Sequence, residues 1–371
     1  MHDLLLLEEY CNLKCDYCEG FYPTEFEFKP KQEKLDMPDS WKMYRRDTPT
    51  IADKIPLNPS VTDFFSLGLQ TLKKVDERFT YPVLKMSGGE VFLNRRFTDF
   101  VEAIAEDYQT IQILTNGLGI AERDVERFAE MGNIVFQMSV DGHTLRTNYA
   151  RARTQKPLDM ILQTIDLMQK KEIGVEINCV LTKHNTAEFG DFTEYFSKYD
   201  DVLLLPRPVR GPPRSVLEAT PEQIRAFADF REKYDKHKHV LPPIAYFDRV
   251  ISVLEKGNRS WDCWVPFFVL GVNNYGEIAT CTCGGGLPTV GQVFEDDEKP
   301  FNIIKELEQY DPKSRLDPCS DCITQYEIFD LFMEDKITDD DLLRFPSLRS
   351  PEARAVTKDL KTKINEKGNK L

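Results

Sequence analysis

Residues 4–18 read LLLLEEYCNLKCDYC, close to the amino end of the chain. The unbroken leucine run predicts a buried strand, and Cys11, Cys15 and Cys18 then fall in the loop that follows it. Thiolates are soft ligands that select zinc, copper(I) or iron–sulfur clusters. A zinc site would need a fourth protein ligand that this stretch does not supply, whereas a [4Fe-4S] cluster on three cysteines leaves one iron open. The alternatives are a zinc knuckle or three unrelated buried cysteines.

Short apolar runs alternate with amphipathic ones in the next part of the chain. A helix is expected at 61–79, capped by Ser60, with further helices at 97–108, 121–131, 157–170 and 187–199. Further strands are expected at 83–86, 111–114, 134–140, 175–181 and 202–205. With the first strand, these repeated units predict an α/β fold, a parallel sheet curved into an open partial (β/α)6 TIM-like barrel. In such a fold the carboxyl ends of the strands carry the chemistry.

Polar residues do fall at those ends. The second strand finishes in Gly88-Gly89-Glu90, where two glycines let the backbone approach a ligand and the carboxylate can accept a hydrogen bond from an ammonium group. The third strand ends in residues 115–117 (TNG), which could line a pocket or form a plain turn. After the fourth strand, Ser139 and Asp141 point to the same side.

At this point the sequence resembles the radical S-adenosylmethionine (SAM) superfamily, whose CxxxCx(aromatic)C signature is matched with Tyr17 in the aromatic position. The resemblance implies a [4Fe-4S] cluster on the three cysteines and SAM at the open iron. It implies reductive cleavage of SAM to a 5′-deoxyadenosyl radical that abstracts a hydrogen atom from a substrate.

The same resemblance implies contacts to SAM. Gly88, Gly89 and Glu90 would hold the amino group of its methionine moiety, and Ser139 and Asp141 would hold the ribose diol. The alternative for the latter pair is a polar turn. An arginine would pair with the SAM carboxylate, and the spacing does not choose between Arg151 and Arg153. Asn178, an amide in an apolar strand, would contact the cofactor or make hydrogen bonds within the core.

A second group of cysteines lies beyond a helical region at 220–256. Two short β runs, 267–272 and 277–280, flank an Asn/Gly turn and predict a hairpin. The pattern resembles the auxiliary-cluster "twitch" subdomain, and the longer SPASM version would need further cysteines. It implies a second [4Fe-4S] cluster on Cys263, Cys281, Cys319 and Cys322, after a spacer helix near 303–309. Cys283 could replace Cys281, and Cys179 is interpreted as a small buried hydrophobe.

Composition narrows the classes of partner. The chain has 371 residues and a formal net charge of −14, which disfavours nucleic acid. Nine cysteines without a secretion signal argue against a disulfide framework. No apolar run is long enough for a bilayer, so a cytoplasmic protein without membrane association is expected.

The expected organisation is a barrel at 1–215, a helical linker at 216–260, a twitch subdomain at 261–325 and a charged helical tail at 326–371, helical to about residue 360. Residues 19–58 form a long aromatic-rich insertion, either a lid or substrate-binding element or a surface insertion. Arg207 and Arg210 lie among prolines after the sixth strand. They could hold a substrate carboxylate or phosphate, and surface ion pairs are the favoured interpretation.

The leading hypothesis is a radical SAM oxidoreductase or maturase. It would modify a peptide or amino-acid-like substrate by oxidation, cross-linking or epimerisation, with a flavodoxin or ferredoxin as reductant and the auxiliary cluster relaying an electron. No peptide-recognition domain is expected before the cysteine loop, which weighs against a peptide. One alternative is an aminocyclitol or sugar-like dehydrogenase or epimerase resembling 2-deoxy-scyllo-inosamine dehydrogenase. Another is a non-catalytic iron–sulfur carrier.

Overall fold

A computed structural model describes residues 1–6, 11–18, 61–77, 79, 81–211, 213–273, 276–279, 281, 289–293, 307, 310–313 and 319–366. The predicted insertion at 19–58, the Ser60 cap, Cys283, the spacer helix apart from Leu307, and the end of the chain lie outside these residues.

The core of the molecule is a parallel sheet of six strands in the order β6-β5-β4-β3-β2-β1. Every neighbouring pair is parallel, which confirms the predicted α/β barrel sheet. The strands are β1 His2–Leu6, β2 Val83–Gly88, β3 Thr110–Thr115, β4 Ile134–Ser139, β5 Val175–Leu181 and β6 Val202–Pro208.

The helices that alternate with these strands confirm the predicted pattern. They are α1 Val61–Asp76, α2 Phe97–Ile104, α3 Glu122–Met131, α4 Gln155–Lys170 and α5 Phe189–Phe196. The helix α1 is assigned three residues shorter than predicted, although the Phe79 amide still donates to the Val75 carbonyl (2.9 Å). The last turn of α2 and the turn before α5 tighten into 3₁₀ helix at Ala105–Asp107 and Thr186–Glu188.

The two faces of the sheet differ in polarity. One face packs under the helices through a row of residues in register, each almost fully buried: Leu4, Met86, Ile113, Phe136, Val175 and Val202. The opposite face carries polar side chains that are also buried: Asp3, Lys85, Gln112, Gln137 and Glu176. Because a buried polar group needs a partner, this inner face requires a closed hydrogen-bond network.

The segment after Cys322 supplies partners for the charged residues of this face. The Tyr326 hydroxyl donates to Asp3 Oδ2 (2.5 Å) and accepts from Lys85 Nζ (3.1 Å), and the same lysine lies 3.7 Å from that carboxylate oxygen. The Ser347 hydroxyl donates to Glu176 Oε1 (2.6 Å). The predicted tail therefore begins as a buried closing element of the barrel, an arrangement that the charged composition of the tail did not indicate.

Beyond β1 the sheet continues. The strand β7, Leu270–Asn273, pairs in parallel with β1 and antiparallel with β8, Glu277–Ala279, so the predicted hairpin is confirmed. The strand β9, Thr289–Gln292, pairs with β8. The pairing of β7 with β1 was not predicted, and it joins the hairpin directly to the barrel sheet. The proposed subdomain boundaries stay a prediction.

The remaining helices surround the barrel. They are α6 Arg214–Leu217, α7 Pro221–Phe230, α8 Tyr234–His237, α9 Ile244–Lys256, α10 Val265–Phe268, α11 Glu327–Met333, α12 Asp339–Leu342 and α13 Pro351–Glu366. Thr220 and Gln223 form a capping box on α7, which confirms the predicted start. The helix α13 runs past the expected end near residue 360. No helix within the described ranges is both long and apolar enough to cross a bilayer.

A buried ion-pair cluster joins α9 to α11. Arg249 pairs with Glu327 and lies 2.7 Å from Glu334 Oε2, and Arg259 lies 2.8 Å from Asp330 Oδ2. These arginines and the carboxylates of Glu327 and Asp330 are almost wholly buried. Removing one partner would leave an uncompensated charge inside the protein.

We therefore expect Glu327→Ala to lower the free energy of unfolding by about 3–5 kcal/mol. Glu352→Ala, at an exposed position on α13, should change it by less than about 0.5 kcal/mol. Urea denaturation of both variants measures the difference. Equal midpoints for the two variants would show that the closing segment does not depend on this cluster.

Candidate functional site

The cysteine loop, residues 11–18, is attached to the loop that follows β4. The Asp16 amide donates to the Ala150 carbonyl (2.8 Å), and Asp16 also pairs with Arg153. The Tyr17 hydroxyl donates to the Asp141 carboxylate. The three cysteines therefore lie where the sequence predicted, at the carboxyl ends of the parallel strands.

Asp141 is the central polar group of this region and is 1% exposed. In addition to the Tyr17 hydroxyl, its carboxylate accepts hydrogen bonds from the Val180 amide (2.9 Å) and Arg151 Nη2 (3.3 Å). Burial raises the pKa of Tyr17, and the Asp141 charge raises it further. Tyr17 therefore remains a hydroxyl donor. One carboxylate thus joins the cysteine loop, the loop after β4 and the end of β5.

Nitrogen donors approach two of the sulfur atoms. Asn116 Nδ2 lies 3.6 Å from Cys11 Sγ, and the Leu13 amide lies 3.4 Å from the same sulfur. Arg151 Nη1 lies 3.9 Å from Cys15 Sγ. Burial raises the pKa of Cys15 to about 12, with Arg151 opposing that shift. The thiols are therefore held in a partly desolvated position, where deprotonation is expected to accompany metal binding.

The donor set of this loop fits an iron–sulfur cluster. Cys11, Cys15 and Cys18 bring three soft ligands within eight residues, and nitrogen donors of the kind that tune cluster sulfurs surround them. Among the residues that the structure describes, no three His, Cys, Asp or Glu side chains are already arranged as a metal-ligand set. A cluster would therefore draw the three sulfur atoms together.

Glu90 follows Gly88 and Gly89 at the end of β2 and is fully buried. Its carboxylate accepts from Thr115 Oγ1 (2.7 Å) and the Asn116 amide (2.7 Å), so it joins the ends of β2 and β3. Burial raises the pKa of Glu90 from 4.5 to about 7, against the lowering effect of these hydrogen bonds. The side chain of the same Asn116 contacts the Cys11 sulfur.

Some buried polar atoms at this edge lack partners in the described part of the chain. They include Asn178 Oδ1 and Arg151 Nε. Asn178 is 1% exposed and lies in register beside Ser139, the half-buried last residue of β4. Because buried polar atoms are normally satisfied, these atoms fit a polar cofactor at the strand ends. The role of Ser139 stays a prediction.

The structure separates the two candidate arginines. Arg151 is 7% exposed and touches both Asp141 and the Cys15 sulfur. Arg153 is exposed, pairs with Asp16 and lies over the Tyr149 ring, 4.2 Å from its centre. Only Arg151 is therefore placed inside the site, a distinction that depends on burial and not on spacing.

The second group of cysteines is organised around Arg259. The Arg259 amide donates to the Ser320 carbonyl (2.7 Å), and its guanidinium donates to the Cys322 carbonyl (3.3 Å) and to the Asp262 carbonyl (3.0 Å). The segment around Cys263 is thus held against the Cys319–Cys322 turn. Cys281 is half-buried, two residues past the end of β8.

Sequence reasoning missed Arg259 and the contact between the two halves of the molecule. Arg210, after β6, donates from Nη1 to Cys322 Sγ (3.1 Å). Arg214 Nη1 lies 3.7 Å from Asp321, inside the same CxxC turn. The basic residues after β6 therefore contact the second cysteine group. In the sequence, this contact was indicated only by the number of arginines among the prolines of that segment.

The fold and the cysteine loop define the class of protein, a parallel α/β barrel with three thiols at the carboxyl ends of its strands. Residues 62–196 match the family model described as the radical SAM superfamily.

Two curated relatives and one solved structure show the range of similar proteins. GTP 3′,8-cyclase from Synechocystis is 22% identical over 196 residues, 52% of this chain and 50% of that protein. Mycofactocin maturase MftC from Mycobacterium tuberculosis is 27% identical over 132 residues, 35% of this chain and 34% of that protein. The structure titled native anSMEcpe with bound AdoMet and Cp18Cys peptide has a TM-score of 0.53 at 15% identity, over 99% of this chain and 97% of that one. The chain spans half or less of the length of the curated relatives.

The raised pKa of Glu90 predicts a pH dependence of stability. Its folded pKa of about 7 exceeds the ordinary 4.5, so the stabilising contribution is complete below pH 4.5 and is lost as pH rises to about 7. In metal-free protein, the free energy of unfolding should fall by about 3 kcal/mol more in the wild type than in Glu90→Gln over this range. Glu106→Gln, at an exposed position, is the control and should follow the wild type.

Denaturant titrations at several pH values measure this difference. Parallel pH profiles for the wild type and Glu90→Gln would contradict the placement of Glu90 as a desolvated carboxyl group.

Proposed function

We propose that this chain is a radical SAM enzyme that modifies a peptide, with Cys11, Cys15 and Cys18 as ligands of a [4Fe-4S] cluster that binds SAM. The observation that carries the proposal is the approach of Asn116 and Arg151 to the Cys11 and Cys15 sulfurs. Both side chains come from the carboxyl ends of strands, where the buried Asn178 oxygen also lacks a partner among the described residues.

When bound, the cluster and SAM supply the one-electron chemistry that removes a hydrogen atom from a substrate. The chain's own residues bind and orient the cofactor. Glu90, once ionised, offers its carboxylate to an ammonium group, and Arg151 offers a guanidinium to a carboxylate. Asn178 Oδ1 accepts a hydrogen bond from a polar group of the cofactor. Gly88 and Gly89 let the backbone come close to it.

Exclusion of water is the other contribution of the chain. Tyr326 and Ser347 donate to the Asp3 and Glu176 carboxylates on the inner face of the barrel, so these two charges need no solvent there. We therefore place the approach for substrate at the carboxyl ends of the strands. A reactive radical survives longer where water and competing donors are excluded.

A peptide substrate is favoured over a small molecule by the similar proteins. One relative is a maturase, and the structure that matches along almost the whole chain carries a bound peptide in its title. GTP 3′,8-cyclase, whose matched segment is the longer of the two curated relatives', supports the alternative of a small-molecule substrate. Oxidation, cross-linking and epimerisation all stay open as the net reaction.

We also propose a second [4Fe-4S] cluster on Cys263, Cys281, Cys319 and Cys322, with Cys283 as the alternative to Cys281. Its support is the arrangement of the segment next to Cys263 and the Cys319–Cys322 turn around Arg259. Burial raises the pKa of Cys263, and the nearby Cys322 thiol adds to that shift, so the two sulfurs are electrostatic neighbours. An external reductant such as a flavodoxin or ferredoxin would deliver electrons.

The test is anaerobic reconstitution followed by reduction with dithionite in the presence of SAM. The wild type should form 5′-deoxyadenosine and contain about eight iron atoms per chain. A variant with Cys11, Cys15 and Cys18 changed to Ala should retain about four iron atoms and should form no 5′-deoxyadenosine. Cys319→Ala with Cys322→Ala should also retain about four.

Cys179→Ala is the matched control for loss of a thiol, because the fully buried Cys179 belongs to neither group of cysteines and contacts Asp141 only at its backbone carbonyl, and it should retain the full iron content. If wild-type protein with its full iron content forms no 5′-deoxyadenosine, the alternative of a non-catalytic iron–sulfur carrier is favoured. A content of about four iron atoms in the wild type would contradict the proposal of a second cluster.

A further inference from the structure

Arg207 lies near the carboxyl end of β6, beside Val180 of β5 in the register of the two strands. Strand alternation places it on the same face as Leu205, which is in register with Asn178. Glu176, two residues before Asn178, bonds to Gln112 and Ser347, so this face is the polar inner one. Arg207 therefore lies above the inner face, at the rim where substrate would enter.

The charge of Arg207 has no counter-charge in the part of the chain that the structure describes. The side chain is half-buried, and no described carboxylate forms an ion pair with it. The favoured expectation of a surface ion pair is therefore not met for Arg207. Burial lowers the pKa of Arg207, and Arg151 and Arg210 add to that shift.

The neighbouring arginines differ from Arg207 because each already has a partner. Arg151 pairs with Asp141 (3.3 Å), and Arg210 donates to the Cys322 sulfur (3.1 Å). Other ionisable groups close enough to interact with Arg207 include Tyr246, Tyr17 and Cys179. Three guanidinium groups thus share this rim, where Asp141 pairs with Arg151 and Asp321 accepts from the Gly211 amide beside Arg210. A desolvated, unpaired cation of this kind favours an anionic ligand.

We propose that Arg207 binds a carboxylate of the substrate, either a side-chain carboxylate or the terminal carboxylate of a peptide. The planar guanidinium forms two parallel hydrogen bonds to a carboxylate. A single negative charge matches Arg207, which has no ion pair among the described residues, whereas a phosphate dianion would require Arg210 as well, and Arg210 already donates to Cys322. The identification of the ligand as a peptide rests on the proposed function, while the anionic site does not.

The position of Arg207 also explains how such a contact would place the substrate. Val180, its neighbour in register, belongs to a small apolar cluster against which Tyr17 of the cysteine loop packs. Tyr17 is also near enough to Arg207 to interact with its charge. A carboxylate bound at Arg207 would therefore hold the adjoining peptide backbone beside the cysteine loop. SAM has its own carboxylate, for which Arg151 is the proposed partner, so the test must separate the two.

The experiment uses reconstituted, oxidised, full-length protein saturated with SAM, and calorimetric titration with four probes. N-acetylglutamic acid α-amide presents a side-chain carboxylate and N-acetylalanine presents a terminal one. N-acetylglutamine α-amide is the neutral match, and inorganic phosphate is the other anion. At least one carboxylate probe should bind, and the neutral probe and phosphate should bind at least about tenfold more weakly. The carboxylate that binds identifies the source.

Arg207→Gln should weaken carboxylate binding at least about tenfold, and Arg207→Lys should weaken it less. Arg225→Gln, at an exposed position where the arginine pairs with Glu222 on the same helix, should match the wild type. The affinity for SAM should stay within about twofold in all variants. The Arg207→Lys variant retains the charge and controls for folding.

Three results would overturn the proposal: no carboxylate binding in the wild type, unchanged binding in Arg207→Gln, or tighter binding of phosphate. A tenfold loss of SAM affinity in Arg207→Gln would also overturn it, by assigning Arg207 to the cofactor. Carboxylate binding that depends on Arg207, in protein that never forms 5′-deoxyadenosine, would support the anionic site and contradict the proposed function. The two failures are therefore distinguishable.

Discussion

The buried Asp141 carboxylate is the interaction on which the site depends. A desolvated carboxylate is stable only when donors surround it, and here they come from Tyr17, Arg151 and the Val180 amide. These donors belong to the cysteine loop, the loop after β4 and the strand β5. Because the three segments meet at one charge, the position of the cysteines is coupled to the edge of the sheet. Arg151 can approach Cys15 only while Asp141 holds the opposite side of its guanidinium.

Buried carboxylates that accept hydrogen bonds from nearby donors also stabilise the rest of the barrel. The inner face places Asp3 and Glu176 in the interior, and the segment after Cys322 supplies the hydroxyl groups that satisfy them. The second cysteine group, at the start of that segment, contacts the basic loop after β6, because Arg210 donates to the Cys322 sulfur. The two groups of cysteines therefore belong to one connected structure, and Arg207 lies at the rim near both.

Much of the fold was readable from the sequence, because alternating apolar and amphipathic runs report local structure directly. The strands, helices and hairpin were predicted close to their observed bounds. The pairing of β7 with β1 was not, because it joins residues far apart in the chain. The sequence assigned Asp141 to a ribose, and that stays a prediction. It could not show that Tyr17 contacts Asp141 from 124 residues away. Arg151 is distinguished from Arg153 as a site residue by its burial. Burial depends on the whole fold and cannot be read from the spacing of the two arginines.

The coupling of the cysteine loop to Asp141 is tested most directly by the rate at which iodoacetamide labels Cys15 in reduced, metal-free protein, read by peptide mass spectrometry. Cys15 should react at least about tenfold faster in Asp141→Asn, because the loop opens more often once Tyr17 and Arg151 lose the charge between them. The exposed Cys18 should change little, and Glu122→Gln, at an exposed position, should behave as the wild type. An unchanged rate at Cys15 in Asp141→Asn would contradict the account.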